Sequence, residues 1–162
     1  MLGRSHMKPQ HKGREMKICQ AAPQQAATLL QQSHAMMTRM YAPEDNHALD
    51  LNALAAPDIR FFIAVDGDQV LACGAVKLAA DYAEVKSLFT DPAARGRGAA
   101  YAILTAIEAK ARDHNLPFLR LETGVGLDAA AALYRRFGFY EIGAFGDYPS
   151  SPASVFFEKP LG

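Results

Sequence analysis

The sequence predicts an α/β fold, a mixed β-sheet of six to seven strands flanked by about four helices. Three observations predict it. Short apolar runs of strand character alternate with longer segments whose apolar residues recur at i, i+3, i+4 and i+7. Two early runs are joined by Asp66-Gly67-Asp68, a hairpin turn, so part of the sheet is antiparallel. Later a strand, a helix and a strand follow in succession between Tyr82 and Glu122, a crossover that makes another part parallel.

The elements follow in order. Met16 to Gln20 is a short first strand. Pro23 suits a first helical turn, and Ala26, Leu29, Leu30, Ser33, Met37, Met40 and Tyr41 share one helical face. Pro43 stops that helix near Ala42. Met36, Met37 and Met40 read as core filling. Asp45 or Asn46 is placed to cap a short second helix through Leu51 and Leu54. Arg60 to Val65 and Val70 to Leu78 are the hairpin strands. The second is almost wholly apolar, which predicts cover on both faces. Tyr82 to Thr90 is the fourth strand. A helix from about Ala99 carries Ala100, Ile103, Leu104, Ile107 and Ala111, and Asn115 and Pro117 end it. Phe118 to Glu122 is a strand. Asp128 reads as the cap of the next helix, with Ala130, Leu133, Tyr134 and Phe137 on its stripe and Gly138 as its stop. Phe139 to Ile142 and Val155 to Lys159 close the sheet, separated by a loop rich in Gly, Pro and Ser. The order is β-α-α-β-β-β-loop-α-β-α-β-β.

Length and composition bound the function. The chain has 162 residues, enough for one domain with a proper core. Half of the residues are hydrophobic and 21% are charged, with net charge zero. That balance argues against a nucleic-acid partner, which calls for a basic excess. No apolar run reaches the ~20 residues of a membrane span, so no membrane partner is expected. The two cysteines, Cys19 and Cys73, sit in apolar strand-like runs without metal-ligand spacing. They read as buried thiols of a reducing, cytoplasmic compartment. No His/Cys/Asp cluster suggests a metal. Residues 1–15 are polar and basic and lack a secretory h-region. Gly3-Arg4-Ser5-His6-Met7 looks like a cloning remnant, with a natural start at Met7 or Met16. The expected division is therefore a mobile tail, 1–15, and a domain, 16–162.

The stretch with most chemical content is Arg95-Gly96-Arg97-Gly98-Ala99-Ala100, between a strand and a helix start. The free N–H groups of a first helical turn and the helix dipole favour an anion there. Gly96 and Gly98 allow φ > 0 and close approach. Arg95 and Arg97 add forked cationic donors. Together they suit a phosphate or pyrophosphate. No Gly-Lys-Ser/Thr follows, and Gly-x-Gly-x-x-Gly is absent, so the loop is neither a Walker A loop nor a dinucleotide fingerprint.

The run Glu84-Val85-Lys86-Ser87-Leu88-Phe89-Thr90-Asp91-Pro92-Ala93-Ala94-Arg95-Gly96-Arg97-Gly98-Ala99-Ala100 resembles the acetyl-CoA motif of the GNAT N-acetyltransferase family. Leu133-Tyr134-Arg135-Arg136-Phe137-Gly138-Phe139 resembles a second motif of that family. The element order from Met16 to Lys159 is similar too. Tyr41-Ala42-Pro43-Glu44 and Phe145-Gly146-Asp147-Tyr148-Pro149 are similar to segments of its small bacterial members. The resemblance implies acetyl transfer from acetyl-CoA, without a metal, to an amine. Backbone at Leu88, Phe89 and Thr90 would pair with the pantetheine arm, and the N–H groups of Arg95, Gly96, Arg97, Gly98, Ala99 and Ala100 would hold the pyrophosphate. The strands of Glu84 and Phe118 would splay to admit the thioester. Two positions depart from the pattern. Ala100 replaces a third glycine, and Leu127 stands where many members have asparagine, so that side chain's bond to the cofactor is lost.

Aminolysis of a thioester needs a neutral amine, a stabilised oxyanion and a proton for the departing thiolate. The resemblance gives Tyr134 the last role; the plainer reading is a core tyrosine bonded to backbone. Glu84 stands where some members hold a general base, on a strand buried enough to raise its pKa. Lys86, two residues on, shares its face, so the two could simply pair. His47, Glu44, Arg60, Asp147 and Tyr148 are candidates for the acceptor pocket, each also readable as a cap, turn or surface residue. His34 and His114 read as exposed. The expected acceptor is a small-molecule amine, for example an amino acid or related metabolite. The alternatives are a protein N-terminal or lysine acetyltransferase and a non-catalytic acyl-CoA-binding module. A homodimer is compatible with such a fold.

Overall fold

A computed structural model describes residues 15–162. The expectations for the tail before Glu15 lie outside the described residues. The elements are β1 (Lys17–Gln20), a 3-10 turn (Pro23–Ala26), α1 (Ala27–Met40), a 3-10 turn (Pro43–Asp45), α2 (Leu51–Leu54), β2 (Ile59–Asp66), β3 (Gln69–Leu78) and β4 (Ala83–Thr90). A 3-10 turn (Pro92–Ala94), α3 (Ala99–Asp113), β5 (Phe118–Gly124), α4 (Asp128–Phe137), β6 (Tyr140–Ile142) and β7 (Ser154–Pro160) follow. This is the predicted order.

The seven strands form one mixed sheet in the order β1-β2-β3-β4-β5-β7-β6. All neighbours are antiparallel except β4 and β5, which run parallel across the α3 crossover. Alternation along each strand sends side chains to two layers. Phe62, Ala64 and Leu71 join Ile103, Leu104, Ile107, Tyr134 and Phe137 in one buried cluster. Phe61, Ile63, Cys73 and Ala75 join Ala26, Leu29 and Leu54 in the other. The fully buried Ile103, Leu104 and Ile107 fix α3 against the sheet, each worth about 1.5–3 kcal/mol of burial. Six successive residues of β3, Leu71 to Val76, are buried, as a strand covered on both faces requires.

Four local expectations are corrected. The cap of α2 is Asp50, whose carboxylate accepts from Ala53 N at 2.8 Å. Asp45 is inside a 3-10 turn, and Asn46 turns the chain by accepting from Ala48 N. Leu127, not Asp128, is the residue before α4; Asp128 lies in the first turn, where its charge meets the positive helix end. Cys19 is exposed. Ile18 packs against the α3-side cluster, so its neighbour on this edge strand faces the other way. Met36 is only partly buried and Met40 is 45% exposed, because α1 buries little beyond Leu29.

Candidate active site

The glycine loop is where the sequence placed it, and its backbone is unusually free. Gly96 and Gly98 have φ of +84° and +79°, a region costly for any residue with a Cβ. Gly98 is the N-cap of α3 and offers no side chain to it. The first backbone bond of the helix runs from Ala102 N to Gly98 O. Among the described residues, the N–H groups from Arg95 to Tyr101 have no backbone acceptor. A helix start normally gains about 1 kcal/mol from a capping oxygen; here an anion has that role to fill. The arginines differ. Arg97 is held by the buried Asp66 at 3.1 Å, at the β2–β3 hairpin, while Arg95 is exposed.

Beside this seat the sheet opens. β4 and β5 pair only at Ala83–Leu119 and Glu84–Arg120, and then part. β4 also bulges. Its register against β3 shifts between Cys73 and Ala75, and Ser87 has a φ of +54°. Past the bulge, Leu88, Phe89 and Thr90 have β3 on one side and the gap on the other.

On the sheet face opposite α3, the gap is lined by a polar cluster. Glu84 is buried, and its Oε2 accepts from Lys86 Nζ at 3.2 Å and from the Tyr148 hydroxyl. Lys86 Nζ also donates to the Tyr148 oxygen at 2.7 Å. The pairing of Glu84 with Lys86, the plainer of the two readings, is therefore formed, and a tyrosine sixty-odd residues away joins it. Burial and the adjacent Glu84 push the Tyr148 hydroxyl pKa well up, so it stays protonated and donates. The ring of His47 meets that of Tyr148 edge-on at 5.1 Å. Arg60 is elsewhere, donating to the Pro57 carbonyl at 2.8 Å. Glu44 and Asp147 are exposed.

One central residue was not singled out from the sequence. Glu122, on β5 two residues past the last β4 pairing, is half-buried and, among the described residues, accepts only from the Ser154 hydroxyl, at 3.0 Å. Burial raises its carboxyl above the ordinary 4.5. The Ser154 bond, then His47 and Lys86, oppose that rise, and Glu84 adds to it. The only available signal was its parity with Arg120 in a strand ending at the gap.

Tyr134 comes from the far side, on α4. It is 6% exposed, and its hydroxyl has no hydrogen-bond partner among the described residues, so the backbone bond of the plainer reading is absent. Burial, then the charge of Glu122, holds its pKa well above that of a free phenol. Tyr41 roofs the end of β5, donating to Val125 O at 2.6 Å. Its ring lies so close over Gly124 that a Cβ there would overlap the hydroxyl. Cys73 lies under the bulge, with burial pushing its thiol up to about 12. That is a thiol unfit for nucleophilic attack near neutrality. The described residues include no group of three or more metal-ligating side chains, and no helix long and apolar enough to cross a membrane.

Comparison with known proteins assigns the class. The model of the acetyltransferase (GNAT) family matches residues 26–139. The IAA acetyltransferase of Azospirillum brasilense is 42% identical over 148 residues, 89% of this chain and 97% of that protein. The uncharacterised N-acetyltransferase YsnE of Bacillus subtilis (strain 168) is 36% identical over 149 residues, 90% and 99% of the two chains. A solved structure assigned as an acyl-CoA N-acyltransferase, from Klebsiella pneumoniae, superposes with a TM-score of 0.79 at 32% identity, covering 92% of this chain and 99% of that one. The chain belongs to the GNAT acetyltransferase family. It is accordingly an acetyl-CoA-dependent N-acetyltransferase.

Proposed function

We propose that the protein acetylates the amine of a small molecule by direct attack on acetyl-CoA, in the cytoplasm. The observation that carries the size of the acceptor is the roof over the polar cluster. Tyr41 closes it from α1 through Val125, and Tyr148 closes it from the β6–β7 loop through Glu84 and Lys86. A protein terminus or lysine would need an open groove at this point. The free N–H groups of Arg95, Gly96, Arg97, Gly98, Ala99 and Ala100 suit the pyrophosphate, and the unpaired edge of Leu88, Phe89 and Thr90 suits the pantetheine arm. When bound, the thioester supplies an activated acetyl group beside the gap.

Tyr134 is the proton donor to the departing sulfur. Its pKa, held high, keeps the proton in place until a thiolate forms, and its hydroxyl has no competing acceptor among the described residues. Glu84, the expected base, takes two hydrogen bonds from Lys86 and Tyr148. Both donors meet one oxygen, Oε2, and stabilise its charge, so its part is to hold the Lys86–Tyr148 wall of the pocket. The test is thiol release from acetyl-CoA across an amine panel, with Tyr134→Phe beside the wild type. The account expects turnover to fall about 10²-fold, in the range of a lost general acid, with the acetyl-CoA-induced rise in Tm retained. Unchanged turnover would remove Tyr134 from the chemistry.

A further inference from the structure

Charges on the acceptor face of β4, β5 and β7 pair off with one left over. Lys86 is matched by Glu84 at 3.2 Å. Arg120 is matched by Glu158 at 2.8 Å. The Arg120 guanidinium is also boxed by Tyr82, Phe118 and Phe145, with ring centroids 4.8, 5.3 and 5.9 Å away, so it is fixed in that pairing. Glu122 has no cationic partner within salt-bridge reach among the described residues, only the Ser154 hydroxyl. Near the rim, Asp45 adds a further carboxylate, bonded by Ser151 Oγ at 2.9 Å. The pocket therefore carries a surplus carboxylate, and its lysine and its arginine are both already paired.

Two consequences follow from elementary electrostatics. A half-buried carboxylate without a counter-charge favours a cation beside it. A substrate carboxylate brought to the same place would meet Glu122 while the neighbouring Lys86 and Arg120 are held by their own carboxylate partners. We infer that Glu122 is the catalytic residue that anchors the acceptor and takes its proton, and that the acceptor is a primary amine with no carboxylate beside its nitrogen. This narrows the substrate class of the proposed function, on which it rests, and sets aside amino acids as acceptors.

The chemistry balances. The amine arrives as an ammonium ion on Glu122, and one proton passes to that carboxylate. The neutral nitrogen then forms its bond to the acetyl carbonyl carbon as the carbon–sulfur bond breaks. The sulfur takes the Tyr134 proton, and the second nitrogen proton restores Tyr134. Glu122 returns its proton to water. The products are the N-acetyl amine, the free thiol and one released proton. The groups facing Glu122 are Glu84 and Lys86 from β4, His47 from the loop before α2, Tyr41 from the end of α1, Tyr134 from α4 and Tyr148 from the β6–β7 loop. Of the two carboxylates in this set, Glu84 is already paired with Lys86, and Glu122 is the one left to bind the amine.

Two matched pairs test the substrate class: phenethylamine against phenylalanine and tyramine against tyrosine. Their apolar bodies suit the exposed Met40 and Val125 beside Tyr41. A rise in Tm with acetyl-CoA alone tests the parent reading first; without it, both fall. With coenzyme A bound, the two amines should raise Tm further and the two amino acids should not. In thiol release with acetyl-CoA, kcat/KM should favour each amine by at least tenfold. Amino acids that bind or react as well as their amines, or amines that do neither, overturn the inference. Glu122→Gln should lower kcat about 10²-fold and remove the acid limb of the kcat/KM profile, whereas Glu84→Gln should leave that limb in place. The reverse outcome would return the base role to Glu84.

Discussion

Gly124 offers a sharp test of how the pocket is roofed. Its backbone is not in the left-handed region, so alanine there strains nothing locally. What alanine cannot avoid is Tyr41, whose hydroxyl and Cζ occupy the place of the new Cβ. Gly124→Ala must push that ring off the end of β5 and break the 2.6 Å bond to Val125 O. The bond is worth about 0.5–1.5 kcal/mol, and overpacking of this kind costs typically 1–3 kcal/mol. A loss of about 2 kcal/mol corresponds to a fall in Tm of roughly 4–8 °C for a chain of this size. Tyr41→Phe removes the hydrogen bond and keeps the ring, so it should cost less. The decisive measurement is the double-mutant cycle by thermal and urea unfolding. In a Tyr41→Ala background the ring is gone, and Gly124→Ala should cost under about 0.5 kcal/mol, leaving a large coupling energy. An equal cost in both backgrounds would refute the reasoning and place the penalty in β5 itself.

Three further outcomes follow from the site. Gly98→Ala meets no neighbouring atom but must hold φ near +79°; it should cost roughly 1–2 kcal/mol and weaken acetyl-CoA binding in a titration. The Glu122 carboxyl is raised on folding, so the native state binds more protons and stability falls as pH climbs through its folded pKa. Glu122→Gln should therefore be at least as stable as the wild type at pH 7, with the difference shrinking as pH falls toward the ordinary 4.5; urea unfolding across that range reads it. Iodoacetamide near neutral pH should label the exposed Cys19 and spare Cys73, as peptide mass mapping will show.

The parts legible in the sequence are those written locally. Gly96 and Gly98 after a strand, the i, i+3, i+4 stripe of α3 and the stop at Gly138 all act over a few residues, and the order of elements follows from them. The acceptor pocket is written across the chain. Glu84 and Lys86 show their shared face in sequence, but Tyr148 reaches them only because the β6–β7 loop folds back over β4 and β5. Glu122 sits in a strand of ordinary appearance. Only the parting of β4 from β5 leaves it at the gap, and only the pairing of Arg120 with Glu158 leaves it without a cation. The cap of α2 is settled by the chain path in the same way. Asp50, Asp45 and Asn46 all have capping side chains, and the turn at Pro43–Asp45 decides which of them meets a helix.

Thermal unfolding with and without acetyl-CoA, with ATP as the control anion, bears most directly on the central claim. At 100 times its Kd the thioester should add about 2.7 kcal/mol, a rise in Tm of roughly 5–11 °C, and ATP at the same concentration should add little. No rise at millimolar acetyl-CoA, or an equal rise with ATP, would contradict the reading of Arg95 to Ala100 as the seat of an acetyl-CoA-dependent enzyme.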